Sequence, residues 1–200
     1  MLGAEGVATA ILQKLETRLP AKVTEFRTRY GTTAAALPMP ASLYSTEVDV
    51  LSVDKYPAII VTTVDTTGRI GNRQLQGTGE VDVYQYKYRM RVFLYVTGTD
   101  HGPTDLLRKR YALAAREVLL TNLVLVDADD QYALLEPNTV KESYSDVATN
   151  QAQLLFAGVY VEFEVTTAES LAAWPEPLPG DVEIVADVGV IPAGMTGVNP

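Results

Sequence analysis

Residues 81–96 read Val81-Asp82-Val83-Tyr84-Gln85-Tyr86-Lys87-Tyr88-Arg89-Met90-Arg91-Val92-Phe93-Leu94-Tyr95-Val96. From Tyr84 onward the even positions are apolar or aromatic, and Gln85, Lys87, Arg89 and Arg91 fill odd ones. Successive side chains of a strand point to opposite faces, so this period of two predicts a half-buried strand. At about 3.3 Å per residue it spans roughly 50 Å. That exceeds the usual 3–10 residues, so the strand is expected to bend, bulge or run past its sheet at the Tyr84 end.

A second stretch matches it. Leu155, Ala157, Val159, Val161, Phe163 and Val165 alternate with Phe156, Gly158, Tyr160, Glu162 and Glu164. The polar row of the first strand is basic and that of the second acidic. Antiparallel pairing would set Lys87, Arg89 or Arg91 opposite Glu162 and Glu164, each pair adding only about 0.2–1 kcal/mol but together fixing register.

Other segments fit around these two. Val7, Ile11, Leu15 and Leu19 recur every four residues and predict an amphipathic helix over 4–19. Pro20 suits the first turn of a new helix, so 21–30 reads as a second, short one, stopped by Gly31. Residues 31–46 lack periodicity and hold two prolines, as a surface connection would. Ala58-Ile59-Ile60-Val61 reads as a strand buried on both faces. Residues 66–79 carry four glycines with Arg69 and Arg73, as in a mobile loop or hairpin arm. Gly98–Pro103 reads as a turn, with Thr104 or Asp105 capping a helix whose core stripe is Leu107, Tyr111, Ala114, Val118 and Leu119. Arg108, Lys109 and Arg116 are placed outward. Short strands are predicted at 132–135 and 140–144. From Ala173, Pro175, Pro177 and Pro179 mark a stiff linker before the β-like Val182–Val190, so 173–200 reads as an extended C-terminal arm. The fold class is α/β in the α+β sense: a mainly antiparallel sheet flanked by helices over residues 1–172, with a projecting loop and the arm.

Composition narrows function. The chain has 200 residues, 47% hydrophobic and 20% charged, with no cysteine and one histidine. Disulfides and thiolate metal sites are thereby excluded. The N-terminal Met1–Gly6 has an early acid and not the basic-then-apolar order of a signal peptide. No run approaches the roughly 18 apolar residues of a membrane span. The expectation is an intracellular protein without membrane contact. The net charge of −9 is uneven: +4 over residues 84–126 and −12 over 127–200. Either this is solvated surface, or opposite faces suit head-to-tail contact. So acidic a chain argues against avid sequence-independent DNA binding.

The motifs of chemistry are broken. His101 stands in a turn with no partner motif, and no Gly-x-Ser-x-Gly elbow exists. Asp127-Ala128-Asp129-Asp130 invites calcium, but an EF-hand would need glycine where Tyr132 stands and glutamate where Asn138 stands. The glycines at 68–71 and 77–79 match neither phosphate loop. Tyr84, Tyr86 and Tyr88 on one strand face fit a core edge or protein interface better than base stacking. Glu142 and Asp146 would be the carboxylates of an enzymatic alternative, without supporting spacing. No catalytic residue and no cofactor is expected.

The order of elements is more telling. It runs helix, Tyr56-Pro57-Ala58-Ile59-Ile60-Val61, glycine-rich arm, the strand Tyr84–Val96, the basic helix from Arg108-Lys109-Arg110-Tyr111 to Leu120, Glu142-Ser143-Tyr144-Ser145-Asp146-Val147, and Phe156–Val165. Over residues 4–170 this resembles the tail terminator (tail-completion) proteins of long-tailed phages. The resemblance implies a virion subunit that assembles as a hexameric ring on the last ring of tail tube protein. Such a ring stops tube polymerisation and offers a docking face to the head-closure (connector) protein, with DNA passing through its lumen. It carries over no catalytic residue. The nearest alternative is a head-closure or connector neck protein. Subunit contacts are expected at Arg69, Arg73, Lys87, Arg89, Arg91, Glu162 and Glu164, and in the arm.

Overall fold

The computed structural model describes residues 3–49, 52–76, 79–126, 132–149 and 154–172. Along the chain come α1 (Gly3–Arg29), β1 (Ser42–Tyr44), β2 (Ala58–Gln76), β3 (Gly79–Gly98), α2 (His101–Leu120), β4 (Val124–Val126), β5 (Tyr132–Tyr144), β6 (Ala148–Thr149) and β7 (Leu155–Ala172). One curled sheet takes the order β1-β2-β3-β7-β5-β4, with β6 against β7. Among the described residues only β1–β2 is parallel. The fold is therefore α+β, a mainly antiparallel sheet with helices.

The two alternating strands are β3 and β7, and they lie side by side at the centre. Their ladder runs without a bulge from Val81↔Ala172 to Gly98↔Leu155. The irregularities expected of so long a strand fall in the partner β2, between Thr63 and Asp65 and between Ile70 and Asn72. Residues 66–76, read as a loop or arm, continue β2 in register with β3 as far as Gln76↔Gly79. The acidic turn 127–130 and the arm from Ala173 lie outside the described residues.

Both helices pack on one face of the sheet. Val7, Ile11, Leu15, Leu19, Val23 and Phe26 of α1 meet Met90, Val92 and Leu94 of β3 and Val159, Val161 and Phe163 of β7 in a single core. Tyr111, Ala115, Val118 and Leu119 of α2 complete it. Ala58–Val61 is buried on both faces, as its β-branched run implies, because a smaller cluster of Val53, Ala58 and Ile60 with Tyr44, Tyr56, Phe93 and Tyr95 forms on the opposite side.

Four expectations need correction. Pro20 does not divide α1, which is one helix of 27 residues. An interior proline costs about 3 kcal/mol. Continuing the helix buries Val23 and Phe26 completely, at about 1.5–3 kcal/mol each. Pro20 sits on the exposed side, where its missing N–H disturbs no packing. Second, α2 begins at His101, not after Thr104: Asp100 is its N-cap residue, and the Thr104 N–H and hydroxyl both donate to the Asp100 carbonyl, at 3.1 and 2.7 Å. Pro103 falls in the first turn, where no N–H is needed. Third, the two short strands at 132–144 are one, β5, with its irregularity between Glu136 and Lys141. Pro137 explains the break, since proline cannot donate to a ladder. Thr139 fills the gap: its hydroxyl donates to Glu136 O at 2.7 Å and accepts from Glu164 N at 2.8 Å. Fourth, Arg108 does not face outward but is only 8% exposed.

Candidate interaction surface

The face turned away from the helices carries the odd positions of β3 and the even positions of β7. Its centre is charged. Arg91 Nε lies 2.6 Å from Glu162 Oε2, and its guanidinium stacks over the Tyr160 ring at 4.7 Å. Lys87 Nζ lies 3.0 Å from Glu164 Oε2, and Arg89 pairs with Asp65 of β2. The pairing expected of these residues is thus present, with Arg91 opposite Glu162 and Arg89 opposite Glu164 in register. Lys141 stands on the other side of Glu162. Exposed pairs of this kind contribute about 0–1 kcal/mol each. Arg89 Nε is buried without a hydrogen-bond partner. Arg69 and Arg73 stand on β2 opposite Gln85 and Asp82, and only their backbone positions are described.

Toward the Tyr95 end the face turns aromatic. Tyr95 stacks on Phe156 at 5.3 Å and on Phe93 at 5.9 Å, and Phe93 meets Tyr160 at 5.5 Å. Tyr56 closes edge-on against Phe156. Burial pushes the Tyr95 phenol up. Toward the Gln85 end lies a shallow depression of ≈ 530 Å³ with Thr67, Gln85, Lys87, Glu136 and Thr166 along it. Beside it, β4 and β5 expose Val124, Val126, Tyr132 and Leu134.

Sequence reasoning missed the polar groups that lock this frame. Arg108 of α2 donates to Asp105 Oδ1 through Nε (2.8 Å) and Nη2 (2.6 Å), and through Nη1 to the Ser145 and Gly158 carbonyls. Hydrogen bonds from Lys109 and then Arg108 hold the Asp105 carboxyl below its ordinary range. Glu169, buried on the helix side of β7, accepts from Tyr88 Oη (2.8 Å), Thr167 Oγ1 (3.1 Å) and the Gly3 N–H at the start of α1 (3.2 Å). Burial first, then Glu169, pushes the Tyr88 phenol well above its usual range. Tyr88 is thus part of the core edge. Lys14 of α1 donates to the carbonyls of Asn122 (2.9 Å) and Val124, and burial lowers its pKa.

His101 is exposed at the first residue of α2. Glu142 is engaged by Arg116 (2.7 Å) and by Tyr144 Oη (2.5 Å). Among the described residues no group of three or more side chains is placed to hold a metal ion, and no helix is long and apolar enough to cross a membrane. This geometry presents an extended, charge-paired sheet face flanked by aromatic and aliphatic patches, the form of a docking surface. No protein family and no curated protein matches this sequence.

Proposed function

We propose that this chain is a structural subunit of a phage tail, a ring-forming terminator that caps the tail tube, stops its growth and forms the joint to the head. The observation that carries the reading is the pair of central strands, β3 and β7. They set a basic row beside an acidic row on a sheet face that neither described helix covers. Paired rows satisfy each other within one subunit and still present alternating charge to a neighbour, which favours one orientation of contact over others. The order of elements, which resembles the terminator proteins, supports the same reading. The partners are then further copies of the chain in a hexamer, the tube protein below and the head-closure protein above. A subunit of net charge −9 suits a lumen through which DNA slides without sticking. The role needs no catalytic residue and no cofactor.

A head-closure or connector role is the second reading, favoured by the same open face. Assembly without this protein separates the two. Overlong tails lacking heads support the terminator, whereas tails of normal length beside leaking, unattached heads support head closure. Normal virions would end both.

A further inference from the structure

Past its pairing with β1 at Ala58–Ile60, β2 has no outer neighbour among the described residues, so its edge runs open toward Gln76. The unpaired N–H and C=O groups of such an edge are a template for another strand. The other outer strand, β4, is three residues long, and its Val124 carbonyl is taken by Lys14. On β2 the ladder irregularities fall between Thr63 and Asp65 and between Ile70 and Asn72. They leave one regular stretch, residues 65–70, and residues 65–68 of it are exposed.

That stretch reads Asp65-Thr66-Thr67-Gly68-Arg69-Ile70. Charge on an edge usually keeps copies apart, because like meets like. Here the two charges are opposite in sign, equidistant from Thr67 and, four residues apart, on one face of the strand. A two-fold axis through Thr67 sets Asp65 of each copy opposite Arg69 of the other and Thr67 opposite Thr67. Parallel strands in register would oppose Asp65 to Asp65 and Arg69 to Arg69. A parallel copy shifted by four residues would keep one attractive pair and lose most of the stretch. Opposite charges and Thr–Thr pairs favour a cross-strand contact, and like charges oppose it. We infer that two copies of this chain join edge to edge along β2, antiparallel, about Thr67. One sequence supplies both halves of the match, which commits the edge to a second copy. A two-fold contact closes after two copies, so it is separate from the ring and does not rest on it.

The chain lacks cysteine, so Thr67→Cys carries a single thiol. A short bismaleimide is expected to link the full-length variant as a dimer on a denaturing gel. The thiols of Gln76→Cys would stand roughly 60 Å apart across the axis and should not link. Equal linkage at both positions, as parallel strands in register or chance collision would give, overturns the inference. No dimer from Thr67→Cys does the same. Arg69→Glu added to Thr67→Cys should lower the yield about tenfold, because each charge contact becomes a pair of acids. Mixing those chains with chains carrying Asp65→Lys and Thr67→Cys should restore linkage, since each then meets opposite charge at both positions. Undiminished linkage with Arg69→Glu, or a mixture that stays monomeric, would also overturn the pairing. The tail-length phenotype reads the role separately, so either can fail without the other.

Discussion

Gly158 lies beneath an aromatic ring. A Cβ built there would stand 2.8 Å from Tyr95 Cε1 and 3.3 Å from Ser145 Oγ. Tyr95 is held between Phe93 and Phe156, so the ring has little room to yield. Gly158→Ala is expected to lower stability by about 1–3 kcal/mol, the range for overpacking a filled site. In a Tyr95→Ala background the same change should be nearly neutral. Denaturant midpoints of the four chains form a cycle that checks this; additive effects would dismiss the clash. Arg108 makes four hydrogen bonds from one planar fork, to two carbonyls and a carboxylate, whereas lysine has three donors on a single nitrogen. Arg108→Lys should cost about 2–3 kcal/mol, in line with hydrogen bonds to charged groups, visible as a lower urea midpoint at unchanged slope. Neither residue was legible in the sequence. A glycine within an alternating strand shows that something approaches closely, but not what. Arg108 sat among cationic neighbours on a helix, and only the loop at Ser145 and β7 at Gly158, both distant in sequence, make that turn an inside.

Elements were legible where one periodicity was enough. The rows of β3 and β7 gave both strands and, for antiparallel pairing, their charge contacts, but not which cation faces which glutamate; the observed register is the one that keeps Val161 and Phe163 out of water. That register is testable. Glu162→Lys places a cation between Arg91 and Lys141 and should cost about 1 kcal/mol, while adding Arg91→Glu should recover most of it; equal losses in both variants would deny the pairing. The apolar stripe of α1 runs on past Pro20 through Val23 and Phe26 at helical spacing. That longer period outweighs the local preference of proline for a helix start. Removing the proline should therefore help: Pro20→Ala is expected to raise stability by about 1–3 kcal/mol, seen as a higher melting temperature. Only the first four residues of β2 carry a strand signal, because its distal half holds glycines and polar residues; its extension depends on β3 beside it. The aromatic cluster had a faint signal, the unbroken apolar run Val92–Val96, in which Phe93 and Tyr95 make the otherwise polar face apolar.

At the scale of the molecule, burial of phenols links folding to alkali. Tyr88, Tyr111 and Tyr144 are each held up, first by burial, and Tyr144 is pushed up to about 12. Unfolded, they ionise near pH 10. Their folded values are raised, so the stability they contribute is whole below about pH 10 and is lost as pH rises through the folded values. Urea titrations at stepped pH should show a falling limb above pH 10, and Tyr144→Phe should make it shallower; an unchanged limb would remove Tyr144 from the account. The helices-on-one-face architecture was legible as α+β, but which face stays open was not, since that depends on how α1 and α2 both dock on β3 and β7. The strand order has a temporal consequence as well. β7 is the last described strand, yet it lies between β3 and β5. During synthesis at about 5–20 residues per second, β3 must wait several seconds for its central neighbour, its edge unpaired. Contacts of such long sequence separation also slow folding. The growing chain therefore passes through a period in which its longest strand is open to the wrong partner, including another nascent copy.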